Sequence, residues 1–277
     1  MLHTGSAVTD QVRHAAPGWD ADVEMLRTAG QLEAAAQLLW NVWGARTEAE
    51  RTEVISTSLL RTLFHTGNYV AGAYVHGELV GCAVGLFGSL ASNGRPDHLH
   101  SSIAGVVRAK SNRGVGYAMK RHQRQWALER GLKSIRWTFD PLVSRNAYFN
   151  LCKLGATVAS YETDYYGKLK DGVNNGQDTD RLLVNWDLCD NWVERAMTGE
   201  LGQKRRHALT PAESEVIEIP DDIAQLREDD PLRAEVERDK VREHFRSLLS
   251  RDYRVVGMDK GKNYVLLPVG VEAGYDE

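Results

Sequence analysis

The apolar residues of this chain change their spacing several times, and each change marks an element boundary. Over GQLEAAAQLLWNVWG, residues 30–44, Leu32, Ala35, Ala36, Leu39 and Trp43 recur every three or four positions, which predicts an amphipathic helix stopped by Gly44. The short run VEML just before it, 23–26, suits a strand. Val54, Leu59, Leu60 and Leu63 share a connected face and predict a second helix over about 51–65. The period then falls towards two. NYVAGAYVHGELVGCAVGLFG, 68–88, has β-formers on both sides of His76-Gly77 and predicts a hairpin that turns there. After a polar loop, LHSSIAGVV predicts a strand over 99–107.

A long helix follows from Gly114 to about Arg130 and ends at Gly131. LKSIRWTFD predicts a strand, SRNAYFNLCKLGA a short helix broken at Gly155, and VASYETDYYG with RLLVNWDL a closing pair of strands. Strand alternation through YETDYYG puts Tyr165 and Tyr166 on opposite faces. The polar stretch KLKDGVNNGQDTD between these strands reads as a loop. Beyond Asp187 the chain becomes more hydrophilic. CDNWVERAM suits a helix and VIEIP a short strand. Residues 231–253 predict a charged helix with a sparse stripe of Leu232, Val236, Val241, Phe245 and Leu249. A last hairpin is expected at Asp259-Lys260-Gly261. The order predicts an α+β, or mixed α/β, fold with helices covering a central sheet. Its expected parts are an N-terminal tail at 1–21, a main domain at 22–187 and an accessory C-terminal lobe at 188–277.

Composition narrows the function classes. The 277 residues are 42% hydrophobic and 26% charged, ordinary values for a soluble globular protein. A formal net charge of -4 offers no general attraction for polyanions, and the basic runs KSNR and KRHQR are balanced elsewhere, so no nucleic-acid partner is expected. Cys82, Cys152 and Cys189 are odd in number and scattered, which argues against a disulfide framework or a zinc site and for a reducing compartment. No signal-like segment and no 18-residue apolar span are seen. The expectation is a cytoplasmic protein with no membrane partner and no metal.

The most specific chemistry lies at SNRGVG, 111–116. A helix start leaves main-chain N–H groups unpaired and carries the positive end of the helix dipole. Glycines at 114 and 116 let an anion approach that backbone closely, so the stretch suits a phosphate or pyrophosphate. The alternative is that Gly114 closes a loop and Gly116 relieves crowding. A dinucleotide fold is excluded because Met119 stands where G-x-G-x-x-G needs its third glycine, and no G-x-x-x-x-G-K-S/T pattern is present.

Taken together, GVVRAKSNRGVGYAMKRHQRQWALERG and IRWTFDPLVSRNAYFNLCKLGA resemble the acyl-CoA-binding core of the GNAT superfamily of N-acetyltransferases, over about residues 22–187. Among its members the chain is most similar to a bacterial branch of acyltransferases with a C-terminal extension. The superfamily's pyrophosphate loop reads Gln/Arg-x-x-Gly-x-Gly/Ala, and here Ser111 stands in the first position, with Arg113 inside the motif as a substitute charge. The resemblance implies that Ser111, Asn112, Arg113, Gly114, Val115, Gly116 and Tyr117 hold the CoA pyrophosphate. It also implies that the strands on either side splay, that main-chain groups at Val106 and Val107 meet the pantetheine arm, and that Asn146 and Phe149 lie along it. Ala147 matches a family alanine. Leu151 stands where the family places the tyrosine that protonates the departing thiolate.

Amide formation from a thioester needs a neutral amine, donors for the developing oxyanion and a route for protons. His100 and Ser102 share a strand face, joined by His98 if the strand starts early, and His100 is the candidate base with His98 and Ser102 as substrate contacts. Asp140 ends a strand and is a second catalytic candidate, or else a cap for the helix that follows. Arg145 could meet a substrate carboxylate. Tyr166 is the candidate replacement acid. Cys152 has no local histidine partner and is expected to be a small buried residue. The reading is a CoA-dependent N-acyltransferase that moves an acetyl, succinyl or similar group from acyl-CoA to a small-molecule amine, an amino acid being one option. Protein N-acetylation and non-catalytic acyl-CoA binding are the alternatives, and a homodimer is left open.

Overall fold

The structure is a computed structural model and describes residues 21–110, 114–169, 176–201 and 204–276. It divides into two compact units, one of residues up to Leu86 with Ile103–Trp126, the other of Phe87–Ser102 with Ala127 onwards. The C-terminal segment thus clusters with the second half of the main sheet.

In the first unit, β1 (Asp22–Met25) pairs antiparallel with β2 (Tyr69–Val75), which pairs antiparallel with β3 (Glu78–Phe87). The turn between β2 and β3 needs left-handed backbone at two successive residues, and His76 (φ 52°) and Gly77 (φ 81°) supply it. Helix α1 (Ala29–Val42) opens with a reciprocal cap between Thr28 and Gln31 and buries Leu32, Ala35, Ala36 and Leu39, the face its spacing predicts. The single helix expected over 51–65 is two: α2 (Glu48–Val54) and α3 (Thr57–His65). Ile55 between them is extended and buried, and its carbonyl accepts the Trp40 indole N–H at 2.8 Å, while Ser56 caps α3. That pinning ends α2. The core here joins Leu26, Leu39, Leu60, Val70, Cys82 and Val84.

Strand β4 (Leu99–Val106) passes from the second unit into the first and leads, through a short 3-10 turn at Arg108–Lys110, towards α4 (Val115–Glu129). Gly105 on β4 faces α1, where an added Cβ would sit 2.9 Å from Val42 Cγ1. Leu99, Ser101 and Gly105 are buried while His100, Ser102 and Ala104 are more open, as a period of two requires.

In the second unit β5 (Ser134–Phe139) pairs antiparallel with β7 (Arg181–Asp187), and β7 with β6 (Thr157–Glu162). The hydrogen-bonded order of the main sheet is β1-β2-β3-β4-β5-β7-β6. The ladders β1–β2, β2–β3, β5–β7 and β6–β7 are antiparallel, whereas β4 runs parallel to β5. That parallel ladder covers only Leu99↔Ile135 and His100↔Arg136, although β5 runs on to Phe139. Trp186 is fully buried, donates to Leu154 O at 2.8 Å and meets Trp137 edge-on, so Trp137 belongs to the core.

After β7 come α6 (Asn191–Thr198), β8 (His207–Ala208), β9 (Glu215–Ile217), α7 (Ile223–Asp229), α8 (Pro231–Ser250), β10 (Tyr253–Met258), β11 (Tyr264–Pro268) and β12 (Tyr275–Asp276). They form a three-stranded sheet, β10-β11-β9, and a two-stranded one, β12-β8. The expected α8 stripe is only half right. Leu232 and Val236 are 75% and 63% exposed, and the buried face runs Ala234, Arg238, Val241, Phe245, Leu248. An arginine occupies a core position of that face. Phe245 stacks on Tyr161 at 4.9 Å between centroids and stands edge-on to Tyr264 at 5.2 Å.

Candidate functional site

The two units hold different parts of the expected chemistry. The first unit carries the loop-and-helix side. Gly114 has φ 82°, a conformation that favours glycine, and its carbonyl accepts Ala118 N–H at 2.9 Å as α4 begins. Ser111, Asn112 and Arg113 lie outside the described residues. Val115 points into the core, whereas Gly116 and Tyr117 are half-buried. Val106 is half-buried near the end of β4. Val107 donates its N–H to Val80 O and accepts Lys110 N–H at its carbonyl, both at 2.9 Å.

One turn further along α4 lies a polar group that periodicity did not reveal. The Lys120 ammonium donates to Gln123 Oε1 at 3.0 Å, and burial pushes its pKa down to about 7. The buried Tyr69 hydroxyl meets His122 Nδ1 at 2.9 Å, and burial raises the phenol well above its ordinary value.

The second unit carries the remaining candidates. His100 is half-buried and Ser102 exposed on one face of β4. His98 does not join them, because the strand begins one residue later. Its ring is buried over Gly88, where any Cβ would collide with it, and its Nδ1 pairs with the Asp97 carboxylate. His98 is therefore a packed, paired side chain.

Asp140 is buried at the end of β5 with both oxygens engaged. Oδ1 accepts Leu142 N–H at 2.9 Å, closing the turn before α5 (Ser144–Tyr148). Oδ2 accepts Arg227 Nη2 at 2.6 Å and Arg238 Nη2 at 3.2 Å. Burial alone would raise this carboxyl, but Arg238, Arg227 and Arg181 outweigh it and hold it below the ordinary carboxylate value. These partners come from α7, α8 and β7, far along the chain. The one local hint was an arginine in the apolar phase of α8.

Helix α5 runs into a turn of π-helix at Phe149–Lys153, where Leu154 N–H reaches Phe149 O at 3.0 Å. Arg145 and Asn146 are exposed on its first turn, and Phe149 is half-buried. Ala147 and Leu151 are both buried, so Leu151 belongs to the core. Tyr148 instead meets His207 Nε2 through its hydroxyl at 3.3 Å. Cys152 is buried and its thiol is pushed up to about 12 by that burial.

Tyr165 and Tyr166 are not on opposite strand faces. Strand β6 ends at Glu162, and both tyrosines lie in a turn in which Asp164 has φ 46°. Their rings meet edge-on at 4.6 Å, and each is almost half exposed (45% and 44%), so neither packs the sheet. The Tyr166 hydroxyl lies 3.0 Å from Thr138 Oγ1, and the Arg181 guanidinium sits 5.4 Å above its ring. Thr138, Asp140, Tyr166 and Arg181 therefore form one connected neighbourhood at the ends of β5 and β7.

No family model matches this chain, and no curated protein does. Several solved structures are similar to it. An N-acetyltransferase from Staphylococcus aureus Mu50 aligns with a TM-score of 0.49 at 12% identity, over 61% of this chain and 98% of that one. The ribosomal-protein-S18-alanine N-acetyltransferase from Escherichia coli gives 0.47 at 14% identity, over 61% and 94%. A GNAT family acetyltransferase from Elizabethkingia anophelis with acetyl-CoA bound gives 0.45 at 15% identity, over 61% and 98%.

Among the described residues, no helix is long and apolar enough to cross a membrane, and no three His, Cys, Asp or Glu are grouped to hold a metal ion.

Proposed function

We propose that this protein is a CoA-dependent N-acyltransferase of the GNAT kind. It moves an acetyl, succinyl or similar acyl group to the amine of a small molecule, an amino acid among the candidates, by direct attack in a ternary complex. The observation that carries the reading is Gly114. It adopts left-handed backbone as α4 begins, at the position where the R-G-V-G sequence resembles a CoA pyrophosphate loop. The short ladder between β4 and β5 supports it, since the resemblance implies that these strands part. Free, unpaired Cys82, Cys152 and Cys189 suit a reducing cytoplasm.

Bound CoA would supply the activated thioester carbonyl. Gly114, Gly116 and the first main-chain amides of α4 would hold its diphosphate, with Tyr117 beside them. Val106 would offer main-chain groups to its arm, and Asn146 and Phe149 would lie along it. His100, half-buried on β4, takes the proton from the acceptor amine, with Ser102 on the same face. Tyr166 donates a proton from a hydroxyl already linked to Thr138. Asp140, with both oxygens occupied, holds arginines in place and takes no proton. Arg145, exposed at the start of α5, is a substrate contact.

A second reading, a non-catalytic acyl-CoA-binding module, is favoured by Leu151, which puts a buried aliphatic side chain where the family has its acid. One assay separates the two. Thiol release is followed with acetyl-, succinyl- and longer acyl-CoAs against a panel of small amines, with CoA affinity measured by calorimetry in parallel. Release with at least one pair supports the transferase. Binding without release supports the module, and no CoA binding overturns both.

A further inference from the structure

Arginine outnumbers carboxylate in the neighbourhood of Asp140. Arg227 is 6% exposed, Arg238 3% and Arg181 6%, and all three act on the charge of this one carboxyl. A guanidinium has five N–H donors and no acceptor. Arg227 and Arg238 converge on a single atom, Asp140 Oδ2, and the other oxygen is already taken by the Leu142 amide. Arg227 Nε, Arg238 Nε and Arg238 Nη1 are buried without a hydrogen-bond partner. Buried donors of a charged group are normally satisfied, and leaving them bare is costly.

The other buried aspartate, Asp180, does not make up the deficit. Asp180 accepts from Arg242 at both oxygens, from Tyr161 at Oδ2 and from the Asp164 amide at Oδ1. Asp178 and Asp239 also face Arg242. Arg181 donates to the Asp180 carbonyl and lies over Tyr166.

We infer that Arg227 and Arg238 form an anion site that takes a carboxylate of a small ligand, beside the Thr138–Tyr166 pair. A carboxylate fits because it brings one negative charge and several acceptor lone pairs to unpaired guanidinium donors. The site itself stands on the orphaned donors. Only its assignment to a substrate rests on the transferase reading, in which the carboxylate belongs either to the acyl group or to the amine acceptor.

The full chain, free of CoA, is titrated calorimetrically with acetate, malonate, succinate and inorganic phosphate at constant ionic strength. Saturable binding of at least one carboxylate is expected, about tenfold weaker or more in Arg238→Gln and Arg227→Gln. Absence of carboxylate binding to the unsubstituted protein overturns the inference, as does binding that both variants keep unchanged. Binding of phosphate alone overturns the carboxylate assignment. If either glutamine variant does not fold, Arg238→Lys keeps the charge, removes the fork and must weaken binding in the same way. Turnover then separates the two sources. An effect of Arg238→Lys confined to acyl-CoAs with a terminal carboxylate assigns the site to the donor; one confined to amino acids, and absent with their amides, assigns it to the acceptor. Carboxylate binding without any thiol release would keep this inference and remove the transferase.

Discussion

Arg242 grips Asp180 at both oxygens, with Nε 2.8 Å from Oδ2 and Nη2 2.8 Å from Oδ1. This pair ties the middle of α8 to the residue that precedes β7. The Asp180 side chain is fully buried, so its charge relies on that fork, the Tyr161 hydroxyl at 2.5 Å and the Asp164 amide at 3.0 Å. Arg242→Met should destabilise the fold by about 3–5 kcal/mol, the usual cost of stranding a buried charge. Arg242→Lys keeps the charge but not the two-point geometry and should fall between. Urea unfolding followed by circular dichroism measures both. A loss within about 0.5 kcal/mol for the methionine variant would place Arg242 among ordinary surface residues.

The same pairs fix the acid limb of stability. Burial pushes the carboxyls of Asp140 and Asp180 up, but their partners prevail and hold both below the ordinary value. A carboxyl depressed in the folded state stabilises it fully above the unfolded pKa, near 4, and that contribution is lost as pH falls through the folded value. Stability should therefore be flat with respect to these groups above about pH 5 and should drop below about pH 4. Asp180→Asn should weaken that drop. Urea midpoints between pH 2 and 7 on both proteins test it, and parallel curves would exclude Asp180 as a contributor.

How much of this was legible in the sequence depended on whether a signal was local. The face of α1, the His76-Gly77 turn and the glycine start of α4 each follow from a few neighbouring residues. Ile55 escaped because Val54, Leu59, Leu60 and Leu63 keep one helical phase across it, while the Trp40 indole that holds its carbonyl is fifteen positions away and the Ser56 cap of α3 is the one local sign. Helix α7 escaped because it buries just Ile223 and Arg227, too little for a stripe. The two arginines bonded to Asp140 are 87 and 98 residues from it, beyond any spacing rule. Tyr165 and Tyr166 carry strand-forming side chains, but the left-handed Asp164 turns the chain before them.

Gly114 offers a test that separates backbone strain from blockage. Alanine there suffers the left-handed φ, worth about 1–2 kcal/mol of stability, and adds a single methyl. Tryptophan suffers the same strain and fills the approach to the helix start. Gly114→Ala should keep CoA affinity within about threefold, while Gly114→Trp should weaken it about tenfold or more. Calorimetry with CoA reads both. Equal effects from the two substitutions would remove this turn from the cofactor site.

The thiols sort by environment. Cys82 and Cys152 are buried and each is pushed up to about 12, so neither supplies thiolate at neutral pH. Cys189 is exposed. Iodoacetamide at pH 7.5 should label Cys189 alone in the folded protein and all three after denaturation, as read by intact-mass and peptide analysis. Full turnover is expected in Cys152→Ala, which also tests the direct-transfer mechanism. Loss of activity with the fold retained would reopen a covalent route through this sulfur.

His100 and Tyr166 divide the proton traffic in the proposed reaction, and their substitutions should leave different marks. A general base contributes about 100-fold or more to turnover, so His100→Ala should lower kcat by that order while CoA affinity stays within about twofold. It should also abolish the acidic limb of the kcat/KM profile, because that limb reports the base in the free enzyme. Tyr166→Phe keeps the ring beneath Arg181 and removes only the hydroxyl that meets Thr138. Its effect should be on kcat, by about tenfold. A structural role for Tyr166 predicts instead a lower melting temperature with kcat unchanged. Steady-state kinetics from pH 5.5 to 9.5, with the melting temperature of each variant, distinguish these outcomes. If His100→Ala preserves both kcat and the acidic limb, the base lies elsewhere and the face shared with Ser102 is only the open side of β4.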